Sequence, residues 1–472
     1  MAERENPLSK PVFKVIADVA KEEQQRVFVI GGFVRDYFLQ RPSKDIDIVV
    51  EGNGIEFAQK VAEKLKSKKI SIFKNFGTAM LPYGKIEVEF VGARKESYRR
   101  NSRKPVVEVG TLEDDQNRRD FTINSLALSL NEDDFGMLID PFGGIQHLND
   151  KIIRTPLNPN LTFSDDPLRM MRAIRFATQL QFDILDTTFV AIKRNRNRIK
   201  IVSVERIVGE FNKILMSQKP SIGIKLLDEA GLLEIIMPQV AALKGVELVG
   251  KVQHKDNFLH TLEVVDNISK NTKNIWLRWA ALLHDIAKPK TKQFDPEHGW
   301  TFHGHEYIGS QMINAIFAKL RLPLNEKMRY VQKLVLLHLR PIVLSQSEVT
   351  DAAIRRLLFD AGNDIEDLMM LCEADITSKN EQTQKRHLSN FQLVRTKLTE
   401  IEEKDRIRNF QPPVSGELIM ETYGLQPCRE VGIIKNAIKD AILDGIIKND
   451  YNEAYAFMQQ KAEELGLSLK EI

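Results

Sequence analysis

Strand-like sequence is confined to the early part of this chain, and that boundary limits the folds open to it. Residues 26–34 (RVFVIGGFV), 46–50 (IDIVV) and 86–91 (IEVEFV) are β-rich runs, while 56–66 (EFAQKVAEKLK) has helical spacing. After about residue 165, apolar residues recur every three or four positions and strand-like runs become rare. Strands first and helices afterwards read as an α+β fold: a head with a mixed sheet and helices, followed by all-α segments. Loops are expected at 156–160, 238–245, 295–299 and 409–416. A length of 472 residues suits several domains. We place them at 1–155 (head), 156–245 (helical neck), 246–395 (a further helical domain) and 396–472 (helical tail).

Composition excludes several classes. Hydrophobic residues at 43% and charged residues at 28% are enough for real cores, which rules out global disorder. Basic and acidic residues number 68 and 65, so the net charge of +3 gives no overall case for polyanion binding. Basic character is local instead: Arg94–Lys104 (RKESYRRNSRK), and Lys193, Arg194, Arg196, Arg198 and Lys200 within KRNRNRIK. Either run is a solvated face or a phosphate contact. Cys372 and Cys428 cannot form a disulfide framework and fit a reducing compartment. The first seven residues have no apolar signal core and no apolar run reaches 18 residues, so a cytoplasmic protein without a membrane partner is expected.

The first chemical constellation lies in the head. GGFVRD (31–36) follows a strand, and Asp45-Ile-Asp47 opens the next one. Gly31 and Gly32 allow backbone N–H groups to approach a phosphate, and Arg35 adds a charged donor. Residues i and i+2 of a strand share a side, so Asp45 and Asp47 present two carboxylates together. Such a pair calls for a hard cation, and Mg²⁺ held there would bridge to substrate phosphates. Glu89 is a third candidate carboxylate, and Glu87 has the same parity. A Gly-Gly turn or an Asp-x-Asp pair alone is weak; both within 17 residues are not.

GGFVRD followed by KDIDIVV resembles the head of the class II tRNA nucleotidyltransferase and bacterial poly(A) polymerase family. The resemblance continues through RRDFTINSLAL (118–128), DDPLRMMRAIR (165–175) and ERIVGEFNKIL (205–215). It implies a nucleotidyltransferase head and helical segments that hold RNA. It implies that Asp45 and Asp47 are catalytic, with Glu89 taken as their third carboxylate from strand position, Arg119 on the triphosphate and Asp120 and Asn124 holding the pocket. Asp166 and Arg169, i and i+3 with Pro167 between, are expected to share one helix face and to read the base. Cytosine and adenine show an amino donor beside a ring-nitrogen acceptor, whereas uracil and guanine invert that order. Arg172 and Arg175 would continue the same face toward the nucleotide. Asp165 departs from the family's usual Glu at that position. KKISIFKNFGTAML (68–81) stands where the poly(A) branch carries a Gly-basic-basic-Phe run, which resembles the CCA-adding branch instead.

A second constellation uses histidine. Six of the nine histidines fall in 254–305. His260, His284-Asp285 and the distant Asp375 resemble the HD phosphohydrolase fold, placed here at 246–395, and His305 and His338 match the extra ligands of two-metal members. His303 competes with His305. Imidazoles with carboxylates suit Mn, Fe, Ni or Zn.

The combined expectation is an enzyme that adds C, C and A from CTP and ATP to the tRNA 3′ end, releasing pyrophosphate, with phosphodiesterase or phosphatase activity in the HD domain. The alternatives are a poly(A) polymerase or A-adding enzyme, and an HD phosphohydrolase with a non-catalytic RNA-binding head.

Overall fold

The computed structural model describes residues 6–470, apart from 44, 75–76, 98–105, 246–247, 250–251, 254–255, 346–349, 378–379, 406 and 409. Most of the basic run Arg94–Lys104 therefore lies outside the described residues. The chain forms two compact units, Met1–Met237 and Pro238–Ile472.

The first unit opens with α1 (Pro11–Glu22) and β1 (Val27–Ile30), which is buried at every position. The run expected as strand to residue 34 stops at Ile30, because Gly31 takes φ +83° and turns the chain into α2 (Gly32–Phe38). Then follow β2 (Asp45–Val50), α3 (Gly54–Lys64), β3 (Ser71–Phe73), β4 (Thr78–Tyr83) and β5 (Ile86–Gly92). The Asn53 side chain accepts the amides of Ile55 and Glu56 and so starts α3. A Cβ at Gly54 would meet the backbone of Gly92 at 2.5 Å, so only glycine lets α3 lie this close to β5. A ribbon of β6 (Arg94–Ser97) and β7 (Val106–Val109) leads to α4 (Leu112–Asn117), started by a capping box between Thr111 and Asp114. After it come β8 (Ala127–Ser129), β9 (Leu138–Ile139) and α5 (Gly144–Asn149).

The main sheet has the order β3-β4-β5-β2-β1-β8-β9. β1 is antiparallel to β2, with Ile30 opposite Asp47. β2 runs parallel to β5, with Asp47 beside Glu89 and Asp45 beside Glu87. The candidate carboxylates thus stand on two adjoining strands, next to the turn at Gly31.

The neck is helical, with one short parallel bridge between β10 (Ile152–Ile153) and β11 (Asp183–Ile184). The loop expected at 156–160 gives way at Pro159 to α6 (Pro159–Asp165), since proline suits a first helical turn. It is followed by α7 (Leu168–Leu180), α8 (Asp186–Asn195), α9 (Val204–Leu215), α10 (Pro220–Glu229) and α11 (Leu233–Ile236). α7 packs on α9 and α10, and its Met170, Ile174 and Ala177 are fully buried.

The second unit starts at α12 (Pro238–Ala241), one helical turn where a loop was expected. It contains two small ribbons, β12 (Leu248–Val249) with β13 (Val252–Gln253) and β14 (Gln293–Asp295) with β15 (Gly299–Thr301). Its helices are α13 (Asn257–Ser269), α14 (Ile275–Leu283), α15 (Lys288–Thr291), α16 (His305–Lys319), α17 (Glu326–Leu337), α18 (Leu339–Leu344), α19 (Asp351–Ala361), α20 (Ile365–Asp375), α21 (Glu381–Asp405), α22 (Gly416–Tyr423), α23 (Arg429–Asp444) and α24 (Tyr451–Glu464). α13, α14, α17 and α20 pack together around buried Leu282, Val335 and Leu368. The domain boundary expected at 395/396 falls inside α21, a continuous helix of 25 residues, so the chain does not break there. α19 packs against both α21 and α23, which ties the C-terminal helices to this unit. Among the described residues no helix is long and apolar enough to cross a membrane.

Candidate functional site

In the head, Gly31 is the pivot. A Cβ there would stand 2.8 Å from Arg119 Nη1 and 3.2 Å from Asp47 Oδ2, so the guanidinium and the carboxylate meet over a bare backbone turn. Burial raises Asp47 above the usual carboxylate value; Arg119 opposes that and Asp45 adds to it. Burial and the neighbouring Asp47 likewise raise Glu89. Carboxylates that raise one another are short of positive charge, and a divalent cation with hard-oxygen preference fits Asp45, Asp47 and Glu89. The structure also separates the two glutamates: Glu89 is half-buried beside Asp47, whereas Glu87 is exposed beside Asp45.

A hydrogen-bonded chain runs from this turn toward the neck. Arg35 Nη1 donates to Asn124 Oδ1 at 2.7 Å, and Asn124 Nδ2 donates to Asp120 Oδ1 at 2.9 Å. Asp120 Oδ1 also accepts the Phe121 amide, and Arg172 donates to Asp120 Oδ2 at 2.7 Å through Nε. Burial would raise Asp120, but Arg172 and the Asn124 hydrogen bond outweigh it and hold the carboxyl at about 2. Asp120 and Asn124 are thus spent within the protein, holding Arg35 and Arg172 in place.

A cleft of about 500 Å³ adjoins them, and Asp120, Asp166, Arg169, Arg172, Arg206 and Lys213 are among its lining residues. Asp166 and Arg169 are brought together here, but not on one helix. Asp166 is extended, with φ −128°, and α7 begins only at Leu168. Pro167 is the reason: it disfavours helical geometry in the residue before it while suiting the helix start itself. Asp166 caps the turn instead, its Oδ1 accepting the Leu168 amide at 3.2 Å. Arg169 Nη2 donates to the Arg118 carbonyl at 2.6 Å.

Arg175 does not line this cleft. It is 9% exposed, lies 3.9 Å over the Phe176 ring and pairs with buried Glu210 of α9 at 2.6 Å. That pair ties α7 to α9, so the nucleotide contact expected of Arg175 is replaced by a packing role. Of the basic run, Lys193, Arg194, Arg196 and Lys200 are exposed, while Arg198 donates to the Ser164 carbonyl at 2.7 Å. Sequence reasoning missed Asp115, which is fully buried and pairs with Arg118 and Arg119, and the cleft residues Arg206 and Lys213. Only the spacing of Asp115 from Arg118 and Arg119, three and four positions on, signalled a local pair.

In the second unit all six expected ligands converge. His260 comes from α13, His284 and Asp285 follow α14, His305 begins α16, His338 follows α17 and Asp375 ends α20. His260 Nε2 lies 2.8 Å from Asp375 Oδ1, His284 Nε2 3.2 Å from Asp285 Oδ2, and His305 Nε2 3.3 Å from Asp285 Oδ1. The Nδ1 atoms of His284, His305 and His338 lie 2.7–2.8 Å from the carbonyls of Ala281, Phe302 and Val335. That fixes the tautomer and turns each Nε2 lone pair inward. The Nε2 atoms of His284, His305 and His338 are buried without a hydrogen-bond partner, as ligands awaiting a cation are. Two overlapping trios, His260–His284–Asp285 and Asp285–His305–His338, each bring their ligand atoms within 4.8 Å of one another. Burial disfavours a charge on His284, yet Asp285 and Asp375 outweigh it and raise the imidazole to about 10. Burial and the neighbouring His284 hold His338 down at about 4. Asp285 and Asp375 thus draw positive charge to this point, which a bound cation would supply in place of a proton. His303 is exposed, whereas His305 is buried beside Asp285.

Comparison with known proteins agrees with this geometry. Residues 27–154 match a poly(A) polymerase head domain, residues 181–244 a probable RNA- and SrmB-binding site of polymerase A, and residues 257–437 an HD domain. The A-adding tRNA nucleotidyltransferase of Aquifex aeolicus is 41% identical over 196 residues, but the match spans only 23% of that protein and 41% of this chain. The A-adding tRNA nucleotidyltransferase of Deinococcus radiodurans is 31% identical over 75% of this chain and 80% of its own length. The multifunctional CCA protein of Pseudomonas fluorescens is 33% identical over 66% of this chain and 73% of its own. Among solved structures, a tRNA nucleotidyltransferase complexed with a primer tRNA and an ATP analogue aligns at a TM-score of 0.57 and 25% identity, covering 81% of this chain and 98% of that one. By head, neck and HD domain alike, the chain belongs to the tRNA nucleotidyltransferase family built on the poly(A) polymerase head.

Proposed function

We propose that this protein completes the 3′ end of tRNA by adding C, C and A from CTP and ATP with release of pyrophosphate. The observation that carries the reading is the cleft in which Asp166 and Arg169 stand side by side, joined through Arg118 and Arg119 to the carboxylates at Gly31. Asp166 offers an acceptor to the exocyclic amino group of cytosine or adenine, and Arg169 offers a donor to the adjacent ring nitrogen. Uracil and guanine present the opposite order and leave both protein groups unpaired, which costs binding. Arg35 and Arg119 hold the triphosphate, and the turn at Gly31 lets it approach the backbone. Asp45, Asp47 and Glu89 would hold Mg²⁺, which when bound activates the attacking 3′-hydroxyl and stabilises the leaving pyrophosphate. Exposed Lys193, Arg194, Arg196 and Lys200 supply charge for tRNA phosphates. The segments 1–155 and 156–245 then act as nucleotidyltransferase head and RNA-holding neck. In the second unit, His260, His284, Asp285, His305, His338 and Asp375 would hold a transition metal such as Mn, Fe, Ni or Zn, which when bound supports phosphoester hydrolysis.

The test uses tRNA transcripts ending before C, after CC and after CCA, each incubated with Mg²⁺ and one labelled nucleotide at a time. Addition of two C and one A, followed by a stop, is expected. A-only addition would instead establish the second reading, an A-adding enzyme, which the names of the Aquifex and Deinococcus relatives favour.

A further inference from the structure

We propose that Asp115 is a positioning residue that couples triphosphate binding to base selection. This inference rests on the nucleotide-binding reading above.

Asp115 sits in the first turn of α4 with its carboxylate fully buried. It serves two neighbouring guanidiniums. Oδ2 accepts Arg119 Nε at 2.9 Å, and Oδ1 pairs with Arg118. Burial would raise the carboxyl, but the two arginines outweigh it and hold it below its usual value. The two arginines face different parts of the site. Arg119 carries Nη1 to the turn at Gly31 and also donates it to the Asn124 carbonyl at 3.3 Å, on the side where the phosphates bind. Arg118 turns its carbonyl to Arg169 Nη2 at 2.6 Å, on the side where the base is read. One buried carboxylate therefore fixes both the donor that meets the triphosphate and the backbone oxygen that aims the base-reading arginine. A buried carboxylate is suited to that task, because it is satisfied only while both guanidiniums stay paired with it.

The expected signature separates positioning from mere stability. Asp115→Asn, a change of charge without change of size, is expected to raise the Kd for CTP and for ATP about tenfold, and to raise UTP incorporation relative to CTP by a similar factor. Arg118→Gln keeps the Arg119 pair but removes the side-chain tether between Asp115 and residue 118, whose amide still donates to the Asp114 carbonyl. It is expected to relax C-over-U discrimination by a larger factor than it raises the CTP Kd. Asp115→Glu restores the charge and is expected to recover part of both properties. Nucleotide Kd is read by equilibrium binding without primer, discrimination by single-nucleotide gel resolution, and folding by the thermal midpoint. If Asp115→Asn lowers only the thermal midpoint, while the folded protein keeps its nucleotide Kd and its discrimination, the inference is overturned. If Asp115→Asn does not fold, unchanged discrimination in Arg118→Gln overturns it instead. Asp166→Ala separates this failure from that of the underlying reading. Relaxed discrimination in Asp166→Ala alone sinks only the role of Asp115, whereas intact discrimination in Asp166→Ala sinks the base-reading cleft itself.

Discussion

The two sites of this molecule solve the same electrostatic problem in opposite ways. In the second unit, carboxylates and imidazoles from five helical segments close on one another, and their own hydrogen bonds fix each ring. In the head, carboxylates line up on two adjoining strands beside an open turn, and burial leaves Asp47 and Glu89 raised rather than satisfied. A preformed cage suits a cation that stays. An open row of carboxylates suits one that arrives with its nucleotide and leaves with the product.

The sharpest way to break that comparison is a reciprocal pair of substitutions. Asp47→Asn is expected to lower nucleotide addition on the order of a thousandfold while leaving the metal content of the second unit unchanged. His284→Ala is expected to empty that second site, read by elemental analysis after gel filtration, while addition stays within about twofold. The two sites lie in separate compact units, so crossed effects would mean that they are coupled.

A smaller effect is expected at the turn. Gly31→Ala puts a methyl group 2.8 Å from Arg119 Nη1 at a positive φ. It should cost about 1 kcal/mol in stability and tens-fold in kcat/KM for both nucleotides. Full activity in this variant would show that the phosphates do not use the close approach.

The smallest effect concerns pH. Asp120 is held at about 2, below its usual 3.8, so its contribution is present above pH 3.8 and lost as pH falls toward 2. The difference amounts to about 2 kcal/mol, and Asp120→Asn should flatten that limb of the acid-unfolding curve. An unchanged acid limb would show that the Arg172 pair contributes nothing net.

How far each site was legible follows from the same contrast. Histidine is scarce in this chain, so His260, His284, Asp285, His305, His338 and Asp375 stood out as candidate ligands in sequence, and the fold brings all six together. Asp45 and Asp47 were legible because a strand's two-residue period fixes their side. Arginines carry less information. Arg172 and Arg175 share a periodic face of α7, yet one lines the cleft and the other pairs with Glu210 across a helix contact, a choice that tertiary packing makes. The 3.6-residue period put Asp166 and Arg169 on one helix, but Pro167 moves the start of α7 past Asp166. Asp115 was overlooked because an acid inside the run LEDDQN reads as a capped, solvated first turn, and only the fold shows that it is buried. The position 395/396 lies inside α21, a long polar helix whose packing partners only the fold reveals.

The position of β1 has a further consequence during synthesis. β1 pairs on one side with β2, only some twenty residues away, but on the other side with β8, with Phe28 opposite Ser129. On the ribosome, Val27–Ile30 therefore waits for about a hundred more residues before its second edge is closed. During that interval a wholly apolar strand edge stands open beside the nascent nucleotide site. Until the chain has been translated through Ser129, that edge is open to edge-to-edge pairing with neighbouring chains on a polysome.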